Sequence, residues 1–224
     1  MEKRENDSGT VSVKTGDFDL KPSAANDLFE HLRTLDGTSD SDEADAKLFE
    51  RFGTCCAPVV FDSVGFTRIS QERGVGFFLK RFIDVADIVG QVIKECGGCG
   101  FRIQADNLFA EFDSPKNALQ ASILANQAIA REQILVADKT PYQLCVGIGF
   151  GQLLRSNTQG VYGDEMNLAC KLGEDIAKGD ELLLTCAAHA ELPSETQSKF
   201  QQLNTRHSKV DIPYFGAIWQ ELTN

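Results

Sequence analysis

An α+β fold, with helices over one face of a largely antiparallel sheet, follows from three features of this 224-residue sequence. Two long stretches repeat apolar residues at steps of three and four, the period of a half-buried helix. Short β-branched and aromatic runs bounded by Gly, Asn and Asp lie between and after them, as strands do. These segments alternate without long linkers or an internal repeat from residue 53 onward, which makes 53–224 a single domain.

Pro58-Val59-Val60-Phe61 reads as a buried strand ending at Asp62. Ser70 is placed to cap a long helix in which Phe78, Phe82, Val85, Val89 and Val92 share a face, and Gly97-Gly98 stops it. Phe101 to Phe112 reads as a tight hairpin turning at Asp106-Asn107, since Asp and Asn tolerate the positive φ of such turns. Ser114-Pro115, a cap followed by a first-turn proline, opens a second helix through Leu119, Ile123 and Ile129 to about Glu132. Tyr142 to Phe150 is a strand running into a loop at Gly149 and Gly151, and Asp164 to Ala177 is a helix ended near Gly179. Leu182–Thr185, Phe200–Leu203 and Tyr214–Trp219 complete the sheet. Strand, helix, hairpin, helix, strand, helix, strand is close to the ferredoxin-like order.

Residues 1–52 differ in texture. They carry a local charge of −6 around the low-complexity run Thr38-Ser39-Asp40-Ser41-Asp42-Glu43, and Leu28, Phe29, Leu32 and Leu35 are spaced for a short helix. This segment reads as an acidic N-terminal extension, partly disordered or helical, with a regulatory or dimer-capping role as the sharper alternative.

The 22 Lys and Arg against 33 Asp and Glu leave a net charge of −11, which disfavours nucleic acid or an anionic membrane as partner. No apolar run reaches the roughly 20 residues that span a bilayer, and MEKREND lacks a signal-peptide core, so the expectation is a soluble, cytoplasmic protein. Seven cysteines, an odd number set mostly in apolar stretches, point to reduced thiols. Cys96-x-x-Cys99 has no second pair to complete a zinc site.

Chemistry concentrates around two carboxylates. Phe61-Asp62-Ser63-Val64-Gly65-Phe66-Thr67 puts an acid at the end of a buried strand, followed by a small-residue turn that can aim backbone N–H groups at phosphate oxygens. Asp106 occupies the hairpin turn. Packed side by side, the pair suits two divalent cations on one triphosphate. An acid after a strand is more often a simple cap, so the pairing carries the argument.

Four stretches then resemble the class III nucleotide cyclase catalytic domain of adenylate and guanylate cyclases. They are Phe61-Asp62-x-x-Gly65-Phe66-Thr67; Arg102-x-x-Ala105-Asp106-x-x-x-x-x-Phe112; Val146-Gly147-Ile148-Gly149-x-Gly151; and Tyr162-Gly163-Asp164-x-x-Asn167-x-Ala169-x-Lys171-Leu172, in family order over roughly 57 to 220. The resemblance implies that Asp62 and Asp106, with the Ser63 carbonyl, hold two metal ions (Mg2+ or Mn2+). It puts the N–H groups around Phe66 and Thr67 at the phosphates, Asn167 at the ribose and Lys171 where an arginine usually answers transition-state charge. It further implies a homodimer in which one chain supplies the aspartates and its twin the base pocket, Asn167 and Lys171.

Four positions depart from the family pattern. Lys171 replaces the arginine fork by a point charge, and Ala105 replaces a glycine. Where the family reads its base, this chain has Arg102 and Gly160, which match neither the adenine nor the guanine pattern. A donor-only arginine beside a side-chain-free glycine favours a smaller, acceptor-rich base, uracil before cytosine. The chain is also similar in size to the bacterial pyrimidine cyclases of antiphage signalling, whose product a separate cyclic-nucleotide-binding effector reads. An adenylate or guanylate cyclase and a catalytically inactive nucleotide-sensing module remain as alternatives. A polymerase-like palm fits less well, lacking a basic template surface.

Overall fold

The structure, a computed structural model, describes residues 27–35, 42–137, 139–207 and 210–223. The chain runs α1 (Leu28–Thr34), α2 (Asp42–Phe52), β1 (Gly53–Ser63), α3 (Phe66–Arg73), α4 (Val75–Glu95), β2 (Gly100–Gln104), β3 (Asn107–Phe112) and α5 (Pro115–Arg131). Next come β4 (Leu135–Ala137), β5 (Thr140–Pro141), β6 (Leu144–Ile148), β7 (Gly151–Ser156), β8 (Gly160–Tyr162) and α6 (Asp164–Cys170), which continues as a π-helical turn, Lys171–Ile176. β9 (Glu181–Thr185), α7 (Cys186–Ala190), α8 (Ser194–Gln197), β10 (Gln201–His207) and β11 (Val210–Ile218) follow.

One nine-stranded sheet has seven of its strands in the order β10-β11-β9-β6-β1-β3-β2, antiparallel except for the β6/β9 pair. β1 is central and long enough to pair twice. Its first half takes β7, which in turn pairs β8, and its second half lies between β6 and β3. Alternation along β1 divides two cores. Ala57, Val59 and Phe61 face the main core with Phe78, Phe82, Val85 and Val89 of α4 and Ala118, Ala121 and Ala125 of α5. Cys56 and Val60 face the other way, toward Phe109, Leu153, Val161, Met166 and Ala169.

The two long helices thus share one face, as the periodicity predicts, while α6 lies across the opposite one. Glycine makes that second layer possible. A Cβ on Gly147 would overlap the Ala169 carbonyl oxygen, and one on Gly173 would sit 3.0 Å from the Gly147 nitrogen. Helix backbone therefore rests directly on sheet backbone at this point.

Ser114 caps α5 as expected, accepting from the Asn117 N–H at 3.3 Å with Pro115 in the first turn. Ser70 caps nothing. Gly74, at φ +92°, closes α3 and opens α4, so the expected single helix is two, with Ser70 inside the first. Strands β7 and β8 lie where the glycine-rich sequence reads as loop. His189 stacks on Phe215 at 3.5 Å between ring centres and is a packing residue.

Of the N-terminal segment, residues 1–26 and 36–41 lie outside the described residues, and the disorder expected of the acidic extension falls there. α1 packs against the β7/β8 hairpin. Asp27, 4% exposed, accepts from the Phe29 N–H of its own helix at 3.2 Å and from the Ser156 hydroxyl and the Asn157 N–H, both at 2.8 Å. The ring of Phe29 meets Tyr162 edge-on at 5.2 Å.

Candidate active site

β1 ends in the middle of the sheet, and its pairing with β3 sets Asp62 opposite Asn107, next to the two-residue turn Ala105-Asp106. The turn lies one residue earlier than the expected Asp106-Asn107, and Ala105 takes the left-handed conformation at φ +55°. The residue standing for the family's glycine thus occupies a position that favours glycine. The Ser63 hydroxyl fastens this corner, donating to the Asp106 carbonyl at 3.2 Å and sharing a 2.5 Å hydrogen bond with the Tyr142 hydroxyl.

Burial pushes the Asp62 carboxyl up to about 6. The neighbouring Asp106 charge pushes the same way, with a smaller push from Glu174, and the Ser63 N–H partly offsets them. Among the described residues neither aspartate has a Lys or Arg ion-pair partner, so two close carboxylates stand uncompensated. No group of three His, Cys, Asp or Glu capable of holding a metal occurs among the described residues. A cation here would draw on two carboxylates, backbone oxygen and ligand oxygens. That donor set fits a hard ion such as Mg2+ or Mn2+ and does not fit Zn2+.

Gly65, at φ +84°, turns the chain from β1 into α3, whose first residues are Phe66 and Thr67. Their N–H groups lie in the unsatisfied first turn beside the aspartates. The Phe66 ring leaves the site, packing edge-on against Phe78 at 4.9 Å, so Phe66 offers backbone alone. Thr67 is exposed.

Arg102 and Gly160, far apart in sequence, meet. A Cβ on Gly160 would overlap Nη1 and Cζ of Arg102, so the guanidinium lies flat against this glycine, which sits at φ +91°. Arg102 Nη1 is also 2.6 Å from the Glu111 carboxylate, which has Arg155 3.1 Å away on its other oxygen.

Asn167 stands on α6, exposed, its side chain without a hydrogen bond among the described residues. Lys171 begins the π-helical turn and pairs with Asp175 at 2.8 Å. No hydrogen bond or ion pair joins either residue to Asp62 or Asp106 within the chain. The structure therefore gathers Asp62, Ser63 and Asp106 in one place and Arg102 with Gly160 in another, and leaves Asn167 and Lys171 on the helix between strands β8 and β9.

Two residues at this surface escape sequence reasoning. Glu174 accepts from the Asn107 side chain at 3.1 Å, and its carboxyl is raised by burial, then by Asp175 and Asp106. Its approach depends on the π-helical winding, which no residue pattern announces. Glu111 had a visible signal, a charge between Ala110 and Phe112 in an apolar strand.

No protein-family model and no curated protein matches the sequence. Solved structures do. An adenylate/guanylate cyclase/hydrolase from Silicibacter pomeroyi is 19% identical, with 73% of this chain and 95% of that one covered at a TM-score of 0.61. The catalytic core of a rhodopsin-guanylyl cyclase with converted specificity, in complex with ATPαS, is 13% identical, with 73% and 96% covered at 0.60. A non-canonical dimeric guanylyl cyclase domain of the RhoGC fusion protein from Blastocladiella emersonii is 13% identical, with 74% and 97% covered at 0.59. At these identities the likeness is one of architecture: the chain has the fold of adenylyl and guanylyl cyclase catalytic domains.

Proposed function

We propose that the protein is a nucleotide cyclase, converting a nucleoside triphosphate to a 3′,5′-cyclic nucleotide and pyrophosphate in a site shared by two copies of the chain. The observation that carries this reading is the pair Asp62 and Asp106, uncompensated at the end of the central strand of a cyclase-type fold, with Asp62 lifted to about 6. Perturbed carboxylates of this kind mark functional sites.

In the reaction the ribose 3′-oxygen bonds to the α-phosphorus, its proton passes to solvent water, and the bond to the pyrophosphate leaving group breaks. Asp62, Asp106 and the Ser63 carbonyl would hold two divalent ions, Mg2+ or Mn2+, which supply acidification of the 3′-hydroxyl and charge screening on the triphosphate. The N–H groups of Phe66 and Thr67 bind phosphate oxygens at the start of α3. Asn167 orients the ribose from the second chain. Lys171 meets the charge that builds on the phosphoryl oxygens; its pairing with Asp175 is an i,i+4 contact to an exposed carboxylate, of a kind worth only about 0.3–0.5 kcal/mol on helices.

For the base we propose a pyrimidine, UTP before CTP. The support is the contact of Arg102 with Gly160: a donor-only fork over a residue with no side-chain acceptor suits the O2 and O4 of uracil, and the guanidinium takes up room that a second ring would need. With this goes a cytoplasmic, antiphage second-messenger role in which a separate effector reads the cyclic product. No described helix is long and apolar enough to cross a membrane.

Ala105 at positive φ and the engaged Lys171 favour a second reading, a nucleotide-binding module without turnover. Purified protein incubated with ATP, GTP, CTP or UTP and Mn2+ decides between them. Cyclic product, largest from UTP and abolished by Asp62→Ala or Asp106→Ala in still-folded protein, is the expected result. Binding without product supports the sensor, and turnover surviving both substitutions removes the two-metal assignment.

A further inference from the structure

Glu111 is 1% exposed, yet it is a carboxylate. On β3 it sits on the face of Phe109 and Val60, across the sheet from the main core. Its two oxygens are divided between two cations from different strands, Arg102 on β2 at 2.6 Å and Arg155 on β7 at 3.1 Å, whose side chains are 21% and 23% exposed. Drawing a carboxylate fully, and two guanidinium groups partly, out of water carries a desolvation cost that their pairing has to recover. In some proteins a buried ionic cluster of this kind is kept because it fixes one arrangement of its members.

The surroundings fix one member of the triad in particular. Gly100 leaves room for the carboxylate, since a Cβ there would lie 3.1 to 3.4 Å from all three of its terminal atoms. Phe109 lies beneath the Arg102 guanidinium at 5.8 Å, and the backbone of Gly160 closes the other side. Arg102 is thereby held in one orientation by a carboxylate, a ring and a glycine. Only Nη1 of its fork hydrogen-bonds to Glu111, and the other N–H groups have no hydrogen-bond partner among the described residues. They are available to a ligand, in a geometry that Glu111 sets. Arginine carries five donors in a rigid plane, so turning that plane changes which acceptors it can meet.

We propose that Glu111 is a positioning residue for base selection, its buried carboxylate, shared with Arg155, holding the Arg102 fork against Gly160 in the orientation that reads the base. This rests on the cyclase reading above and extends it to a residue that touches no substrate. Loss of the carboxylate frees Arg102 to rotate, so discrimination among bases falls while the phosphate and metal end of the site is left alone.

The test is steady-state kinetics of the full-length protein on the four triphosphates with Mn2+, for wild type, Glu111→Gln, Glu111→Asp, Arg102→Met and the Glu111→Gln/Arg102→Met pair. The charge-neutral glutamine is expected to raise KM for the preferred triphosphate about tenfold, as loss of a charged hydrogen bond does, and to lower the ratio of kcat/KM between preferred and disfavoured bases with kcat changed much less. In the Arg102→Met background the same change is expected to add nothing, since its effect passes through Arg102. Glu111→Asp keeps the charge and draws it back by one methylene, so it provides a folded variant with loosened selectivity where glutamine fails to fold. An equal loss on all four substrates, full additivity with Arg102→Met, or an unmoved base ratio in the aspartate variant overturns the proposal while the cyclase reading stands. Wild-type protein that cyclises none of the four overturns both.

Discussion

At Asp62 the cost of the site is carried by a single side chain. Its folded carboxyl, at about 6, lies above the ordinary 3.8, so the folded state holds the proton more tightly than the unfolded one. The sign follows: stability present below about pH 4 is lost as pH rises through 4 to 6, and at higher pH the ionised group opposes folding. Asp62→Asn is therefore expected to raise the melting temperature of metal-free protein at pH 8 and to leave it unchanged near pH 4, read by thermal unfolding in EDTA. A lower melting temperature at pH 8 would mean that the carboxylate is compensated by a group not accounted for. Residues of this kind are legible in sequence because their chemistry fixes their spacing. Asp62 and Asp106 announce themselves as an acid after a buried strand and an acid in a tight turn. Glu111 shows only as a charge in an apolar strand, with its role set by cross-strand neighbours, and Glu174 shows no signal because its approach comes from a change of helical winding.

Among the elements, α5 could be read from the sequence almost to both ends and α4 to its C-terminal end, because a long amphipathic stripe and a Ser-Pro start are strong local signals, while the break at Gly74 that starts α4 goes unread. β7 and β8 could not. Their strands are short and framed by Gly149, Gly151, Gly160 and Gly163, and what makes them strands is the pairing of β7 with the first half of β1 and of β8 with β7. α1 is held in a similar way, by tertiary contact more than by propensity, since seven residues are too few to be helical alone. Asp27 ties it down. Burial works to raise its carboxyl, but hydrogen bonds from Ser156, Phe29, Asn157 and Thr158 outweigh this and hold it below the usual value. The stabilisation is thus present above about pH 4 and lost as pH falls below it. Asp27→Ala removes a helix cap and the anchor on the hairpin together, and the cap alone is worth about 0.5–2 kcal/mol. Amide exchange in Leu28–Thr34 and at Asn157 and Thr158 should speed up in this variant while α4 and α5 stay protected. Unchanged exchange at both places would show that Leu28 and Phe29 hold α1 without the carboxylate.

Over the whole molecule, the groups assigned to one reaction do not meet inside one chain. Asp62 and Asp106 cluster at the end of β1, while Asn167 is exposed without a side-chain partner and Lys171 is tied only to its neighbour Asp175. A closed two-fold pairing that sets the α6 surface of each chain over the aspartates of the other makes two equivalent sites and satisfies both halves. The −11 net charge opposes association of two such chains and of each with a triphosphate, so the dimer should form most readily with divalent cation and nucleotide present. Complementation tests the arrangement directly. Asp62→Ala and Asn167→Ala are each expected to be inactive alone, since every site in either homodimer lacks one essential group. Mixed in equal amounts and allowed to exchange subunits, half of the dimers become mixed, and each mixed dimer has one site with the aspartates of one chain and the asparagine of the other. Activity should then return to about a quarter of the wild-type value. If the mixture stays silent although exchange is demonstrated by differently tagged chains, the reacting groups must come together within a single chain, and the surface carrying Asn167 and Lys171 serves some other purpose.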